Sequence, residues 1–142
     1  MYAKDVLVVF TVVAVQTAFV QAGPPDWVPA DLIDMVQGDK EQCMSEHGTT
    51  QAQIDQVNDG VLINDKSISC YMFCLLDAFS LMSEDGELEA EMLLSFLPEN
   101  LQAMGGDILN KCATQDGADN CEKTFNIAKC VQQEVPELWF MV

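Results

Sequence analysis

The sequence predicts an all-α domain of about six short helices, locked by three disulfides around an apolar cavity, with the C-terminal tail folded inward. Three observations point there. Apolar residues recur at helical spacing along most of the chain, and strand-like alternation persists nowhere. Six cysteines all lie beyond residue 42, a pattern suited to an oxidising compartment. Hydrophobic residues make up 49% of the chain, more than six short helices need to cover one another.

The start of the chain reads as a targeting segment. Met1–Asp5 is short and polar, Val6–Val20 is an apolar run, and Val20-Gln21-Ala22 offers small residues at the positions a signal peptidase reads. Residues 1–22 are therefore expected to be a secretory signal peptide and residues 23–142 a single helical domain. The apolar run is short for a bilayer span, and Gly23-Pro24-Pro25 would break a helix continuing from it. An N-terminal membrane anchor is the competing reading.

The first helix is expected over Ala30–Glu46, with Leu32, Ile33, Val36 and Cys43 on its apolar side and a kink at Gly38; His47-Gly48 ends it. Thr49 or Thr50 caps a short second helix through Ile54 and Val57, closed by Asp59-Gly60. Asp65–Met82 is the strongest helix. Ile68, Tyr71, Met72, Leu75, Leu76, Phe79 and Met82 leave it few polar positions, so burial nearly all round is expected. Ser83–Gly86 stops it. Glu87–Leu97 follows, and then a helix opened by Pro98 in its first turn and running to about Cys112, weakened in the middle by Gly105-Gly106. A last helix spans about Asn120–Val135, and Pro136 releases the apolar end Leu138-Trp139-Phe140-Met141-Val142.

Charge and composition exclude several functions. The formal net charge is −17, every basic residue is a lysine, and arginine is absent. Such a surface repels nucleic acid and anionic headgroups and lacks the guanidinium fork that grips phosphate, so no nucleic-acid partner is expected. One histidine, no G-x-S-x-G and no phosphate loop leave a hydrolase or transferase without its parts, so the chain is expected not to be an enzyme. A secreted phospholipase would set His-Asp beside a helical cysteine, whereas Cys74 is followed by Leu75-Leu76-Asp77. No metal site or cofactor is expected either, since C-x2-C pairs are missing. The same feature argues against a saposin-like membrane binder.

The cysteines run Cys43-x26-Cys70-x3-Cys74-x37-Cys112-x8-Cys121-x8-Cys130. Cys70 and Cys74 share a helix face with β-carbons about 5–6 Å apart, too far for the ~3.8 Å of a disulfide. Cys121 and Cys130 on one helix would be about 13 Å apart along its axis. Six cysteines allow fifteen pairings, and removing those containing either pair leaves ten. Each bridge contributes about 2–4 kcal/mol by restricting the unfolded chain, which lets marginal helices stand around a space they do not fill.

The spacing resembles that of the insect odorant-binding protein family, with its pheromone-binding and general odorant-binding members. The resemblance covers essentially all of Gly23–Val142. It is carried by the cysteine pattern and by Asp26-Trp27-Val28-Pro29, Met44–Asp55, Cys70–Leu81, Ala128–Gln132 and Trp139-Phe140. It implies the pairing Cys43–Cys74, Cys70–Cys121 and Cys112–Cys130, and a secreted carrier in sensillum lymph that delivers odorant, pheromone or fatty compounds toward a membrane odorant receptor. It also implies that the tail enters the fold as a cavity wall.

The candidate ligand-binding residues follow from that picture. Leu75, Ala78, Phe79 and Met82 form a stripe on the central helix. Leu93 and Leu97, then Met104 and Ile108, then Ile127 and Val131, are the candidate walls opposite. Leu138, Trp139 and Phe140 come from the tail, and Trp27 from the start of the domain as a lid or a dimer contact. An ordinary filled core is the plain alternative for each of these. Eight methionines suit an adaptable lining. An apolar tail left in water is an aggregation liability, so a weak homodimer competes with inward folding of a monomer. A different class, a secreted interaction or defence protein docking a partner through that tail, also stays open. Enclosing about 400 Å² of ligand gives on the order of 10 kcal/mol gross. Association losses of several kcal/mol then leave roughly micromolar affinity. The excess of carboxylates raises acid-dependent release as a hypothesis, through Glu134, Glu137 or the terminal carboxylate of Val142. His47, at a helix end, reads more simply as a partner for that terminus than as a sensor.

Overall fold

The computed structural model describes residues 23–142; the expected signal peptide lies outside the described residues. Six α-helices occur among them: α1 Ala30–His47, α2 Gln51–Asn58, α3 Lys66–Ala78, α4 Ala90–Leu94, α5 Glu99–Cys112 and α6 Asn120–Glu134, followed by a 3₁₀ turn at Pro136–Leu138. None is long and apolar enough to cross a membrane.

Local chemistry sets most of the boundaries. Thr50 and Gln53 form a reciprocal capping box on α2, with Gln53 N donating to Thr50 Oγ1 at 3.2 Å and Thr50 N to Gln53 Oε1 at 2.9 Å. Asp65 caps α3 by accepting from Ser67 N at 2.8 Å, and Asp119 caps α6 by accepting from Glu122 N at 2.9 Å. Gly48 closes α1 at φ 64°, a left-handed position that glycine takes without steric cost. The helix runs unbroken through Gly38, where a kink was expected.

The strongest expected helix is shorter than its periodicity suggests. α3 ends at Ala78, Ser80 turns at φ 56°, and Leu81 N reaches back to Leu76 O at 2.9 Å. Leu81 and Met82 then run extended. Met82 bridges Leu88, Glu89 N donates to Leu81 O at 2.9 Å, and Leu88 N donates to Ala113 O at 2.9 Å. In this conformation Leu81, Met82 and Leu88 are all buried. The same bridge uses Glu87–Glu89, so α4 begins only at Ala90. It ends in single turns at Ser95, Phe96 and Leu97, because the residue before Pro98 is pushed out of helical geometry.

Gly105-Gly106 do not interrupt α5. A β-carbon on Gly105 would stand 2.8 Å from Leu97 Cδ1, so glycine there lets α5 lie close against the end of α4. Close approach offsets the helix propensity that two glycines lose.

α3 is the central element, packed against α1 on one side and α6 on the other, with α5 against α4 and α6. Disulfides tie these contacts: Cys43–Cys74 joins α1 to α3, Cys70–Cys121 joins α3 to α6, and Cys112–Cys130 joins α5 to α6. They are the three pairs the resemblance implies. α3 is not buried all round, because Asp77 and Ala78 face solvent.

Lys66 at the start of α3 pairs with Asp119 at the start of α6, next to the Cys70–Cys121 bridge. Hydrogen bonds from Lys66 and the Glu122 amide hold the Asp119 carboxyl below the usual carboxylate range, and the Ser67 hydroxyl and amide do the same for Asp65. A depressed folded value means both groups stabilise the fold fully above the unfolded carboxylate value. That contribution is lost as pH falls through the folded value, below about pH 4. Thermal melts should therefore drop in midpoint through that acid window. In Asp119→Asn, which keeps the cap and removes the titration, the drop should be shallower.

Candidate functional site

A cavity of about 290 Å³ lies between α3, α4, α5, α6 and the tail. That is close to the lower limit of small-molecule pockets, ~300–1,000 Å³. Met72, Leu75 and Leu76 line it from α3, at i, i+3 and i+4. α6 contributes Thr124, Ile127, Ala128 and Val131, a stripe of the same periodicity, and α5 contributes Leu101, Met104, Gly105, Ile108 and Leu109. Leu93, Phe96 and Leu97 close the α4 side; Trp27, Val28 and Leu32 close the start of the domain. Leu138 through Val142 form the remaining wall.

Of the candidate residues, Trp27, Leu75, Leu93, Leu97, Met104, Ile108, Ile127, Val131, Leu138, Trp139 and Phe140 all face this cavity. Ala78, Phe79 and Met82 do not, and their assignment is corrected. Ala78 and Phe79 fall on other faces at the end of α3, and the reversal at Ser80 carries Met82 away. Ala78 is left exposed, and Phe79 packs beside Cys43, Ile54, Tyr71 and Leu75. Met82 is buried with Leu88, Ala90, Leu109 and Ile127. The wall of α3 instead lies one turn earlier, at Met72 and Leu76, a stripe already visible in the helical spacing. Leu88 and Thr124 were missed as well, as were other lining residues such as Leu32, Phe96, Leu101 and Ala128. Leu88 depends on the bridge to Met82, and Thr124 is a polar residue among apolar ones.

The tail is fastened by hydrogen bonds as well as packing. Trp139 Nε1 donates to Val57 O at 2.9 Å, and Asn58 clasps Met141, donating Nδ2 to its carbonyl at 2.7 Å and accepting from its amide at 2.7 Å. The Tyr71 hydroxyl donates to Val142 O at 2.6 Å. Tyr71 is fully buried, and burial pushes its phenol far above the usual value, so it stays a neutral donor. All three side chains holding the tail are uncharged at neutral pH. Glu134, one of the carboxylates proposed for acid release, is engaged instead by Lys111 of α5 at 2.7 Å. Replacing Asn58 by Ala removes both halves of the Met141 clasp. About 1–3 kcal/mol of tail anchoring should be lost, seen as faster amide exchange at Phe140–Val142 with the rest of the fold protected.

The tail also borders a smaller cavity of about 160 Å³ of mixed character, lined by Ile33, Val36, Gln37 and Lys40 of α1 and by Gln51, Asp55 and Asn58 of α2. His47 borders neither cavity and sits within 4.0 Å of Glu46 at the end of α1. Glu46, His47 and Cys74 cluster, but the Cys74 sulfur is bonded to Cys43, so the trio makes no metal ligand set.

A cross-linked helical shell with a folded-in tail and an almost wholly apolar chamber fits a carrier of small ligands. The chain matches the PBP/GOBP family over residues 26–134 and belongs to that family. It is 29% identical to general odorant-binding protein 69a of Drosophila melanogaster over 100 residues, covering 70% of this chain and 68% of that one. Among solved structures, odorant binding protein 4 of Chrysopa pallens aligns with a TM-score of 0.69 at 27% identity, over 80% of this chain and 97% of that one. Odorant binding protein 7 of Anopheles gambiae, solved in complex with an azo compound, shares the fold at a TM-score of 0.70 and 22% identity, over 78% and 91% of the two chains. The family is one of odorant-binding carriers, not of enzymes.

Proposed function

We propose that this chain carries a small, mostly apolar odorant or pheromone-like molecule in the 290 Å³ chamber, with the tail as its removable wall. The observation that carries the reading is a chamber lined by apolar side chains from α3 to α6, closed by a tail that a few hydrogen bonds fasten to Val57, Asn58 and Tyr71. The azo-compound complex of the Anopheles gambiae protein supports it. The carrier acts in extracellular fluid such as sensillum lymph, handing its cargo to a membrane receptor, as a monomer or weak homodimer. The alternative, a defence or interaction protein docking through an exposed tail, fits less well, since Leu138–Val142 are all partly covered within the fold.

The test is displacement of a fluorescent apolar probe by volatile and fatty compounds, at roughly micromolar affinity. A protein that takes up no probe overturns the reading. Repeating the titration between about pH 4 and pH 8 reads acid release directly, and a flat profile removes that part of the proposal.

A further inference from the structure

The large apolar side chains that stand exposed among the described residues are Met35, Val61, Ile63, Met92 and Met104. The first four border neither cavity. Met104 is 43% exposed and also lines the main chamber, where every other lining residue is buried or half-buried. It lies on α5 between Leu101 and Ile108, lining residues about one turn before and one turn after it. Met104 therefore stands at the rim, where the apolar chamber meets solvent. Its thioether is open to reagents in water. The other lining methionines are more sheltered: Met72 is buried and Met141 half-buried.

From this we infer that Met104 is a modification site: a hydroperoxide converts its thioether to the sulfoxide, and the converted protein holds apolar guests less tightly. This rests on the carrier reading and goes beyond it, adding an oxidative input to binding. The sulfur lone pair attacks the outer oxygen of the hydroperoxide. An S–O bond forms as the O–O bond breaks, and the proton passes through solvent to the leaving oxygen. With hydrogen peroxide the products are the sulfoxide and water, the sulfur losing the two electrons that the peroxide gains. No base takes part, so exposure sets which methionine reacts first. The product puts a strong hydrogen-bond acceptor on a wall flanked by Leu101 and Ile108, whose side chains offer no donor. An apolar guest that covers this oxygen strips water from it and returns nothing. Met35 and Met92 serve as controls within the same fold. They are 52% and 46% exposed, so peroxide reaches them as readily, yet neither borders the chamber.

The experiment treats the protein with dilute hydrogen peroxide and follows each methionine by peptide mass. Affinity for undecane is read by displacement of a fluorescent arylnaphthylamine probe. Met35, Met92 and Met104 should convert before Met72 and Met82, which are 4% and 7% exposed. Undecane affinity of the wild type should fall about ten-fold once Met104 is converted, and should return on treatment with methionine sulfoxide reductases of both epimer specificities. Met104→Leu, which nearly keeps the side-chain volume, should hold its affinity through the same treatment. The double variant Met35→Leu/Met92→Leu should lose affinity as the wild type does. A Met104→Leu protein that loses as much as the wild type overturns the inference and leaves the carrier reading standing, and so does a Met104 that converts no faster than Met72. An untreated protein that takes up neither probe nor undecane overturns the carrier reading itself. Should a variant not fold, singly oxidised wild-type forms separated by chromatography decide. Only the form carrying the sulfoxide at Met104 should bind weakly, and equal binding by the Met104 and Met92 forms overturns the assignment.

Discussion

Deleting Leu138–Val142 should weaken binding of an apolar probe by about thirty-fold while leaving the helical circular-dichroism signal in place. All five residues border the chamber. If they cover about 80 Å² of a guest, then at ~25 cal/mol per Å² their loss removes about 2 kcal/mol, and each 1.4 kcal/mol is about ten-fold. The helices are expected to survive because the tail lies beyond the last bridge, at Cys130, and adds only a 3₁₀ turn. Unchanged probe affinity, together with a shift in oligomeric state, would show that the tail serves a dimer instead of a wall.

The second large effect is on stability. Replacing Cys70 and Cys121 together by Ser should lower it by about 4 kcal/mol, because that bridge closes the longest loop, with a separation of 51 residues. The melting midpoint should fall by about 12–20 °C for a domain of this size. Loops with separations of 31 and 18 residues, closed by Cys43–Cys74 and Cys112–Cys130, should cost progressively less, down to about 3 kcal/mol. Thermal melts of the three double variants check both the magnitude and the order. Probe affinity should fall most in the first variant, since it unties α3 from α6, which form two facing walls of the chamber.

Much of this architecture was legible from residue spacing. The capped start of α2 was read at Thr49 or Thr50 and is found at Thr50, while the caps at Asp65 and Asp119, where a side-chain oxygen substitutes for a missing helical acceptor, were not singled out. Helix geometry alone ruled out Cys70–Cys74 and Cys121–Cys130, and the bridges observed include neither. The failure came where a local pattern met a tertiary demand. Leu75, Phe79 and Met82 sit at helical intervals, yet Ser80 reverses the chain, and Met82 pairs with Leu88 in the interior. Spacing registers which residues are apolar, and in that stretch it cannot register which conformation hides them best. Gly105-Gly106 misled for a related reason. Their cost to α5 is intrinsic, but their use depends on Leu97, in the turn before Pro98, folding back against Gly105.

The order of the three bridges has a consequence for survival among proteases. Every peptide bond between Cys43 and Cys130 is spanned by at least one disulfide, so a single cut anywhere in that interval leaves both fragments covalently attached. A protein nicked in the Ser83–Gly86 turn or the Thr114–Asp119 loop would stay one molecule until reduced. Only a cut outside that interval releases a piece, and the two pieces so exposed, carrying Trp27 on one side and Leu138–Val142 on the other, both hold parts of the chamber wall. Trimming from either end would therefore disarm the molecule far sooner than an internal nick.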